Sequence, residues 1–390
     1  MRVPLAPLVV ASLALPGLLG SAAAAAPAGP AAVAAPNWTP GPAIPARGEL
    51  TAVTEHPGLF DVTVFGVEQT WNRTYAYAWD AAAAPDVVVQ RVDVPDVGRI
   101  RDADGQWAVG ERGVLRQVDG VWRRTPVPAS PGKRVTLTRV VVSDETWAIG
   151  VESAGTDPAA ARGRRAVVLR WDGAAWQQVA VPVQLLGPRA ELTAVTAHAQ
   201  PLVFGIDRRP TGDRAVALRY DGTAWRRIDV PSRPGQVDHL TASSFYAVGG
   251  WTAPAGAPPD ARRPLLYRID ASDGRLVPTV IDAPRRGEVT DLAHDYGVPV
   301  AIGVTGGAPF GLRAVLEDDG FGLWRREAVT PLRGRVVAVA GTTDGNLFAV
   351  GHQQVGDTRR PLVLTYSDEA GNPPRRPGIG ALTRPSFARF

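Results

Sequence analysis

Short apolar runs separated by polar and turn residues follow one another along this chain, and one of these runs recurs seven times. Each copy ends on an apolar residue followed by a glycine, and successive glycines lie 44, 40, 55, 44, 54 and 48 residues apart. No segment shows a sustained period of 3.6 residues, so the pattern favours strands over helices. A repeat of this length indicates an array of similar structural modules. The pairs are Phe65-Gly66, Val109-Gly110, Ile149-Gly150, Phe204-Gly205, Val248-Gly249, Ile302-Gly303 and Val350-Gly351.

Three further motifs accompany each copy and predict four short strands per module. An apolar run that ends in aspartate, usually followed by glycine, predicts a tight hairpin, because glycine adopts positive φ angles at little cost. A segment from tryptophan to proline follows, as at residues 176–182 and 225–231, and proline ends a strand because it donates no ladder hydrogen bond. Each module opens with a version of Leu-Thr-Ala-Val-Thr, identical at residues 50–54 and 192–196. The hairpin aspartates are Asp80, Asp119, Asp172, Asp221, Asp270, Asp318 or Asp319, and Asp368.

Four short strands in each repeat are the content of a β-propeller blade. The sequence therefore predicts an all-β fold, a seven-bladed β-propeller with four antiparallel strands per blade, over residues 37–370. Strand-ending prolines mark six blades, and the seventh match is Trp38 followed by Ile44-Pro45. We expect this N-terminal segment to be the outer strand of the last blade, which closes the ring and removes a free sheet edge. The alternative outer strand, within residues 369–379, contains three prolines.

The segments outside the repeats predict export. Residues 1–26 have the features of a secretory signal peptide: Arg2, an apolar stretch at residues 3–19, and small residues at 21–26. Residues 27–36 are expected to form an Ala/Pro spacer, and residues 371–390 a C-terminal tail. No later segment reaches the length of a membrane-spanning helix. We therefore expect a secreted, extracellular protein with no membrane span.

Composition narrows the chemistry further. The 390 residues include no cysteine, which excludes disulfides, thiolate metal sites and a cysteine nucleophile. Lys133 is the single lysine, so Schiff-base chemistry has almost no candidates. The 42 basic and 38 acidic residues give a net charge of only +4, which does not indicate a nucleic-acid partner. No histidine pair has a compact ligand spacing, and we predict neither a metal site nor a cofactor.

Three recurring sequence motifs resemble those of bacterial secreted propellers. They are Trp-Ala-Val-Gly, Leu-Arg-x-Trp-Asp-Gly-x-x-Trp and Val-x-Val-Pro. The sequence is similar to the photosystem-II assembly-factor type and to Asp-box (sialidase-like) propellers, and the resemblance covers about residues 38–370. An Asp-box has Ser or Thr two positions before its Asp and one residue between Asp and Gly. Asp172-Gly173 and Asp221-Gly222 depart from that pattern. The box is a structural hairpin in those families, so the resemblance implies the fold and carries over no sialidase chemistry.

Four arginine pairs precede the third strand of their blades and are candidate ligand-binding residues. Arginine forks bind carboxylate and phosphate oxygens through paired hydrogen bonds. The leading hypothesis is a secreted, monomeric, non-enzymatic propeller that binds an extracellular protein or an anionic cell-wall glycan through one face. The other interpretation is that the pairs lie in solvated loops. The pairs are Arg164-Arg165, Arg208-Arg209, Arg262-Arg263 and Arg359-Arg360.

A second hypothesis is a glycan-active hydrolase or lyase whose site lies at the mouth of the central channel. Asp238, His239, Asp291 and His294 lie on predicted innermost strands of adjacent blades and are its candidate acid and base groups. By contrast, the recurring tryptophans are expected to pack between blades, and the recurring aspartates to accept turn hydrogen bonds.

Overall fold

The structure, a computed structural model, describes residues 37–56, 61–81, 87–154, 164–187, 189–197, 200–209, 212–295, 297–317, 320–342 and 345–366. Over these ranges the chain forms seven blades of four antiparallel strands arranged in a ring. The prediction of a seven-bladed β-propeller is confirmed. The predicted signal peptide, spacer and tail lie outside the described residues, as do Asp318, Asp319 and Asp368.

The strands follow one another outward from the centre in each blade. Blade 1 contains β2 (Gly48–Glu55), β3 (Asp61–Glu68), β4 (Thr74–Asp80) and β5 (Gln90–Val92). Blade 2 contains β6 (Ile100–Asp104), β7 (Trp107–Gly110), β8 (Gly113–Val118) and β9 (Val121–Thr125). Blade 3 contains β10 (Lys133–Val142), β11 (Thr146–Ala154), β12 (Arg165–Trp171) and β13 (Trp176–Gln178). Blade 4 contains β14 (Ala190–Ala197), β15 (Pro201–Asp207), β16 (Arg214–Tyr220) and β17 (Trp225–Arg227).

The second half of the ring has the same plan with two additions. Blade 5 contains β18 (Gln236–Ser243), β19 (Ala247–Pro254), β20 (Arg263–Ile269) and β21 (Leu276–Pro278). Blade 6 contains β23 (Glu288–Asp295), β24 (Val298–Thr305), β25 (Ala308–Glu317) and β26 (Gly320–Glu327), and β22 (Val280–Ile281) adds a fifth, parallel strand. Blade 7 contains β27 (Gly334–Gly341), β28 (Leu347–Val355), β29 (Thr358–Tyr366) and β1 (Trp38–Pro40). The helix α1 (Val183–Leu186) and a 3₁₀ turn (Pro259–Ala261) lie between strands.

A β-bulge interrupts all seven innermost strands at the same point. The apolar residue before the bulge pairs with a glycine of the second strand, as Leu192 does with Gly205. A Cβ atom at Gly205 would overlap the carbonyl oxygen of Glu191, so the two backbones approach more closely than a side chain permits. This close approach explains the recurring glycine of the sequence. In blade 5 the glycine in this position is Gly250, so the pattern Val248-Gly249 is one residue out of register.

Tryptophans at the start of the outer strands pack into the spaces between blades. Trp122 of blade 2 contacts Phe65 of blade 1 edge-to-face, with ring centroids 5.0 Å apart. Trp176 of blade 3 contacts Trp107 of blade 2 at 4.8 Å in the same manner. The packing interpretation of the recurring tryptophans is confirmed, because all six are buried: Trp107, Trp122, Trp147, Trp176, Trp225 and Trp324.

The aspartates of the outer hairpins accept backbone hydrogen bonds within their own turns. Asp172 Oδ1 accepts from the backbone nitrogens of Ala174 and Ala175 at 2.8 and 2.7 Å. Asp221 Oδ1 accepts in the same way from Thr223 and Ala224 at 3.0 and 2.8 Å. These bonds hold the pKa of Asp221 well below its ordinary value. The turn interpretation is therefore confirmed for Asp172 and Asp221.

The N-terminal strand closes the ring as predicted. Trp38, Thr39 and Pro40 pair with the residues 366, 365 and 364 of β29, which makes β1 the outer strand of blade 7. The strand is shorter than the segment 38–45 expected from the sequence. The Trp38 backbone also joins blade 6, because its nitrogen donates to the Ala328 oxygen at 3.0 Å and its oxygen accepts from the Thr330 nitrogen at 2.9 Å. No helix in the described ranges is long and apolar enough to cross a membrane.

Candidate functional site

Two faces of the ring differ in the connections that they carry. The connections between second and third strands, and those that lead from one blade to the next, lie on one face, which we call the arginine face. The connections between first and second strands and between third and fourth strands lie on the opposite face, the hairpin face. This arrangement follows from the antiparallel order of the strands in every blade.

The sequence predicts all four arginine pairs in the loops between second and third strands, and the structure places them in that loop or at the beginning of the third strand, on the arginine face. Only Arg208 and Arg209 lie wholly within a loop. Arg165 and Arg263 are the first residues of β12 and β20, directly after Arg164 and Arg262, whereas Arg359 and Arg360 lie inside β29.

Carboxylates neutralise five of these eight arginines. Arg165 lies 3.1 Å from Glu152, which is completely buried, and Arg262 lies 2.8 Å from Glu288. The other three arginines form four ion pairs, which join Arg208 to Glu191 and Asp213, Arg209 to Asp207, and Arg359 to Glu49. Among the residues that the structure describes, no carboxylate lies within ion-pair distance of Arg164, Arg263 or Arg360. Most of the arginines in these pairs are thus in ion pairs, and three have no carboxylate partner among the described residues.

Glu49 contacts three basic side chains on this face. His352 Nδ1 lies 3.3 Å from its Oε2, Arg359 Nη1 lies 3.2 Å away, and Arg99 contacts its Oε1. His352, Arg99 and Arg359 together lower the pKa of Glu49 to about 2. Because Glu49 stays ionised, its ion pair with Arg359 links blade 1 to blade 7.

A basic groove of about 410 Å³ runs between blades 2 and 3 on the arginine face. Its lining contains four cationic side chains, Arg112, Arg124, Lys133 and Arg134, of which Arg112 is paired with Asp96 at 2.7 Å. Arg124 and Arg134 donate to the backbone oxygens of Asp96 and Glu111, so their charges are not cancelled by a carboxylate contact. Lys133 shares Glu152 with Arg165, which connects the groove to the first arginine pair.

An exposed aromatic residue lies on the same face, in the turn between β3 and β4 of blade 1. Trp71 is 72% exposed, unlike the buried tryptophans of the repeats. An indole in this position offers a flat apolar surface on which a sugar ring can stack. Blade 1 adjoins blade 2, so this surface lies one blade away from the basic groove.

The structure divides the four candidate catalytic residues between two places. Asp238 and His239 lie near the start of β18, towards the arginine face. Tyr267 Oη donates to Asp238 Oδ2 at 2.9 Å, and the His239 ring stacks on Trp251 with centroids 3.7 Å apart. Burial lowers the pKa of His239 to about 4, helped by Arg208 and Arg262. The Asp238 carboxylate therefore accepts a buried hydrogen bond from Tyr267. His239 is neutral near pH 7 because of its low pKa.

Asp291 and His294 belong to the other end of the channel. They line a cavity of about 320 Å³ to which all seven innermost strands contribute, and which lies near the ends of those strands on the hairpin face. Neither Asp238 nor His239 lines it. The described structure thus does not bring the four candidates into one cavity.

The ionisable side chains that line this central cavity are Glu55, three aspartates, Arg139 and His294, and the aspartates are Asp102, Asp104 and Asp291. Arg139 Nη1 lies 3.5 Å from Asp102 Oδ1, and the same guanidinium donates to the carbonyls of Thr193 and Thr241 at 3.3 and 2.8 Å. Asp104 Oδ2 accepts from the Val142 nitrogen at 2.6 Å, and Asp291 Oδ2 from the Val339 nitrogen at 2.8 Å. Each of these aspartates therefore makes a contact that joins its own blade to the next blade of the ring.

Burial governs the ionisation of these carboxyls. It raises the pKa of Asp104 to about 7, and the nearby Asp102 and Asp291 add to this effect. It also raises the pKa of Asp291 to about 7, where Arg139 opposes the rise and Asp102 adds to it. In the described ranges, no three histidine or acidic side chains are placed to hold a metal ion together.

Sequence reasoning missed the groove, Trp71 and most of the cavity. One usable signal was present: Asp102, Arg139 and Asp291 follow the bulge, at a position that is alanine in the other four blades. A charged residue at an otherwise apolar repeat position marks a departure from pure packing.

Comparison with known proteins supports the fold. No protein-family model and no curated protein sequence matches the chain. A streptogramin B lyase structure is similar with a TM-score of 0.51 and 9% identity over 83% of this chain and 95% of that chain. A Xanthomonas campestris gluconolactonase has a TM-score of 0.42 and 12% identity over 82% of this chain and 86% of that chain. The Trypanosoma rangeli sialidase has a TM-score of 0.45 and 10% identity over 83% of this chain and 55% of that chain. The likeness at these identities is one of propeller fold alone.

Proposed function

We propose that the protein is an exported, non-enzymatic propeller that binds an anionic glycan through its arginine face. The observation that carries this proposal is the basic groove between blades 2 and 3, where Arg124 and Arg134 have no carboxylate within ion-pair distance among the described residues. Arginine side chains bind the planar carboxylates of uronic acids and the phosphates of teichoic acids through paired hydrogen bonds.

The surroundings of the groove support an extended ligand. Arg164 lies on the same face in blade 3, without a carboxylate partner among the described residues, and Arg263 and Arg360 are placed likewise in blades 5 and 7. Trp71 adds a stacking surface on the other side of blade 2. A polymer with repeated negative charges could contact several of these groups at once, which matters because single exposed arginine contacts are worth under about 1 kcal/mol.

The test measures retardation of the full chain in native gels that contain polygalacturonate, at low and high ionic strength. The variant is Arg124→Gln combined with Arg134→Gln, because neither arginine partners a carboxylate and both can be replaced without stranding a buried charge. We expect about tenfold weaker binding from the loss of two contacts, and weaker binding of the wild type at high salt.

The matched control is Arg123→Gln combined with Arg325→Gln. Both residues are exposed on outer strands and do not line the groove, and the net charge changes by the same amount. If the control loses as much affinity as the groove variant, general charge explains retention and the assignment of the groove is wrong. If the wild type is not retarded at any salt concentration, the glycan proposal fails.

A further inference from the structure

A second site lies at the centre of the ring and has the opposite charge. The central cavity is defined here by Asp102, Asp104, Arg139, Thr196, Ser244 and Asp291, which belong to blades 2 to 6. It lies towards the hairpin face, whereas the basic groove lies on the arginine face. The two sites share no lining residue, so an inference about the cavity is independent of the proposed glycan binding.

We propose that the central cavity binds a small organic cation with primary ammonium groups, held between Asp104 and Asp291 and hydrogen-bonded by the hydroxyls of Thr196 and Ser244.

Acidic side chains outnumber the one arginine in the lining of the cavity. Arg139 lies beside Asp102, directs two further donors to backbone carbonyls, and also acts on Asp291 through its charge, so one guanidinium serves at least two carboxylates. Asp104 and Asp291 are left with backbone N–H donors as their hydrogen-bond partners on Oδ2. Burial of carboxylates without a counter-charge is costly, and a bound ammonium group would remove that cost. The raised pKa of both side chains has the same origin.

Two hydroxyl groups in the cavity wall have no hydrogen-bond partner within the described structure. Thr196 is 1% exposed and Ser244 is 8% exposed, and Oγ1 of the first and Oγ of the second are both unpaired. The equivalent hydroxyl in blade 1, Thr54 Oγ1, donates to the Gly105 carbonyl of blade 2 at 3.1 Å. Buried hydroxyls usually have a hydrogen-bond partner, and a ligand bound in the cavity would supply one to these two side chains of blades 4 and 5.

The positions of the acids define the size and class of the ligand. Asp104 and Asp291 belong to blades 2 and 6, which are not adjacent in the ring, so a molecule with two ammonium groups can contact both. A volume of about 320 Å³ lies at the lower end of the range for small-molecule sites. Three acids around a bare metal ion would need to converge, and no such group of three occurs among the described side chains.

The experiment is isothermal titration calorimetry of the full chain at pH 8 with three matched probes. We expect 1,4-diaminobutane to bind, 1-aminobutane to bind about tenfold more weakly, and 1,4-butanediol to give no measurable heat. Asp104→Asn and Asp291→Asn keep an oxygen acceptor for the neighbouring backbone nitrogen, so both variants should fold. Each should weaken diamine binding by at least about tenfold.

Thr196→Val and Ser244→Ala provide a second readout. Because neither hydroxyl makes a bond in the ligand-free protein, both variants should retain the melting temperature of the wild type and lose several-fold in diamine affinity. Asp144→Asn, on an exposed turn outside the cavity, is the charge-matched control and should bind normally. The inference is wrong if the diamine does not bind, if the diol binds equally well, or if both aspartate variants keep full affinity.

Discussion

The aspartates of the central cavity serve the fold and carry an electrostatic cost at the same time. Asp104 accepts a hydrogen bond from the backbone of the next blade, which holds blades 2 and 3 together. Burial nevertheless raises its pKa from 3.8 to about 7, so the ionised side chain is less stable in the folded state than in the unfolded state. The structural role needs only the oxygen acceptor.

This separation leads to a prediction for Asp104→Asn. Between pH 3.8 and about 7 the folded protein binds more protons at Asp104 than the unfolded chain, so its contribution to the free energy of unfolding falls as the pH rises. Asparagine keeps the acceptor and removes the charge. In thermal melts without ligand, we expect the variant to melt about 5 °C above the wild type at pH 8, with a smaller gain at pH 5. A lower melting temperature at pH 8, or equal gains at both pH values, would contradict the assignment.

At the scale of elements, the bulge of the innermost strand organises each blade. It places one residue out of the ladder, and in blades 3 and 5 that residue is Thr138 or Thr241, whose hydroxyl donates to the next blade at 3.5 or 3.2 Å. It also brings the carbonyl of the innermost strand against the glycine of the second strand. The recurring glycine and the threonines of blades 3 and 5 are thus two consequences of one bulge.

We expect Gly205→Ala to destabilise the protein by roughly 3 kcal/mol. The added methyl group would overlap the Glu191 carbonyl oxygen, which the ladder of β14 and β15 holds in place. Gly222→Ala is the control, because its site is open and only its φ of +95° opposes a side chain. That change should cost about 1–2 kcal/mol. Urea unfolding followed by circular dichroism compares the two, and equal losses would mean that the backbone approach at Gly205 is not tight.

The sequence predicted elements better than it predicted sites, and particular residues show why. The Trp-to-Pro segments and the glycine repeat report local strand and turn geometry, so four strands per blade could be derived from them. The partner of Arg359 is Glu49, 310 positions away, and only closure of the ring brings them together. The cavity likewise combines single residues of separate blades. Such contacts depend on the curvature of the ring, which no local pattern specifies.

At the scale of the whole molecule, closure depends on a three-residue strand. The Trp38 side chain is 1% exposed and packs among residues of blades 6 and 7, including Ile302 and Leu364. Its ring meets Tyr366 edge-to-face with centroids 5.3 Å apart. Trp38 therefore occupies the position that Trp176 and Trp225 occupy in blades 3 and 4, although it comes from the opposite end of the chain.

We expect Trp38→Ala to lower the free energy of unfolding by about 3–5 kcal/mol, the cost of a large cavity in a packed interior. Because the lost contacts join blades 6 and 7, the ring should open first at this point and expose the edge of β29 to pairing with other molecules. Thr39→Ala, one residue away and only half-buried, should cost under about 1 kcal/mol. Urea unfolding by circular dichroism and light scattering of partly unfolded samples would measure both effects. Equal unfolding midpoints for the two variants would show that β1 fills a place in the sheet without holding the ring closed.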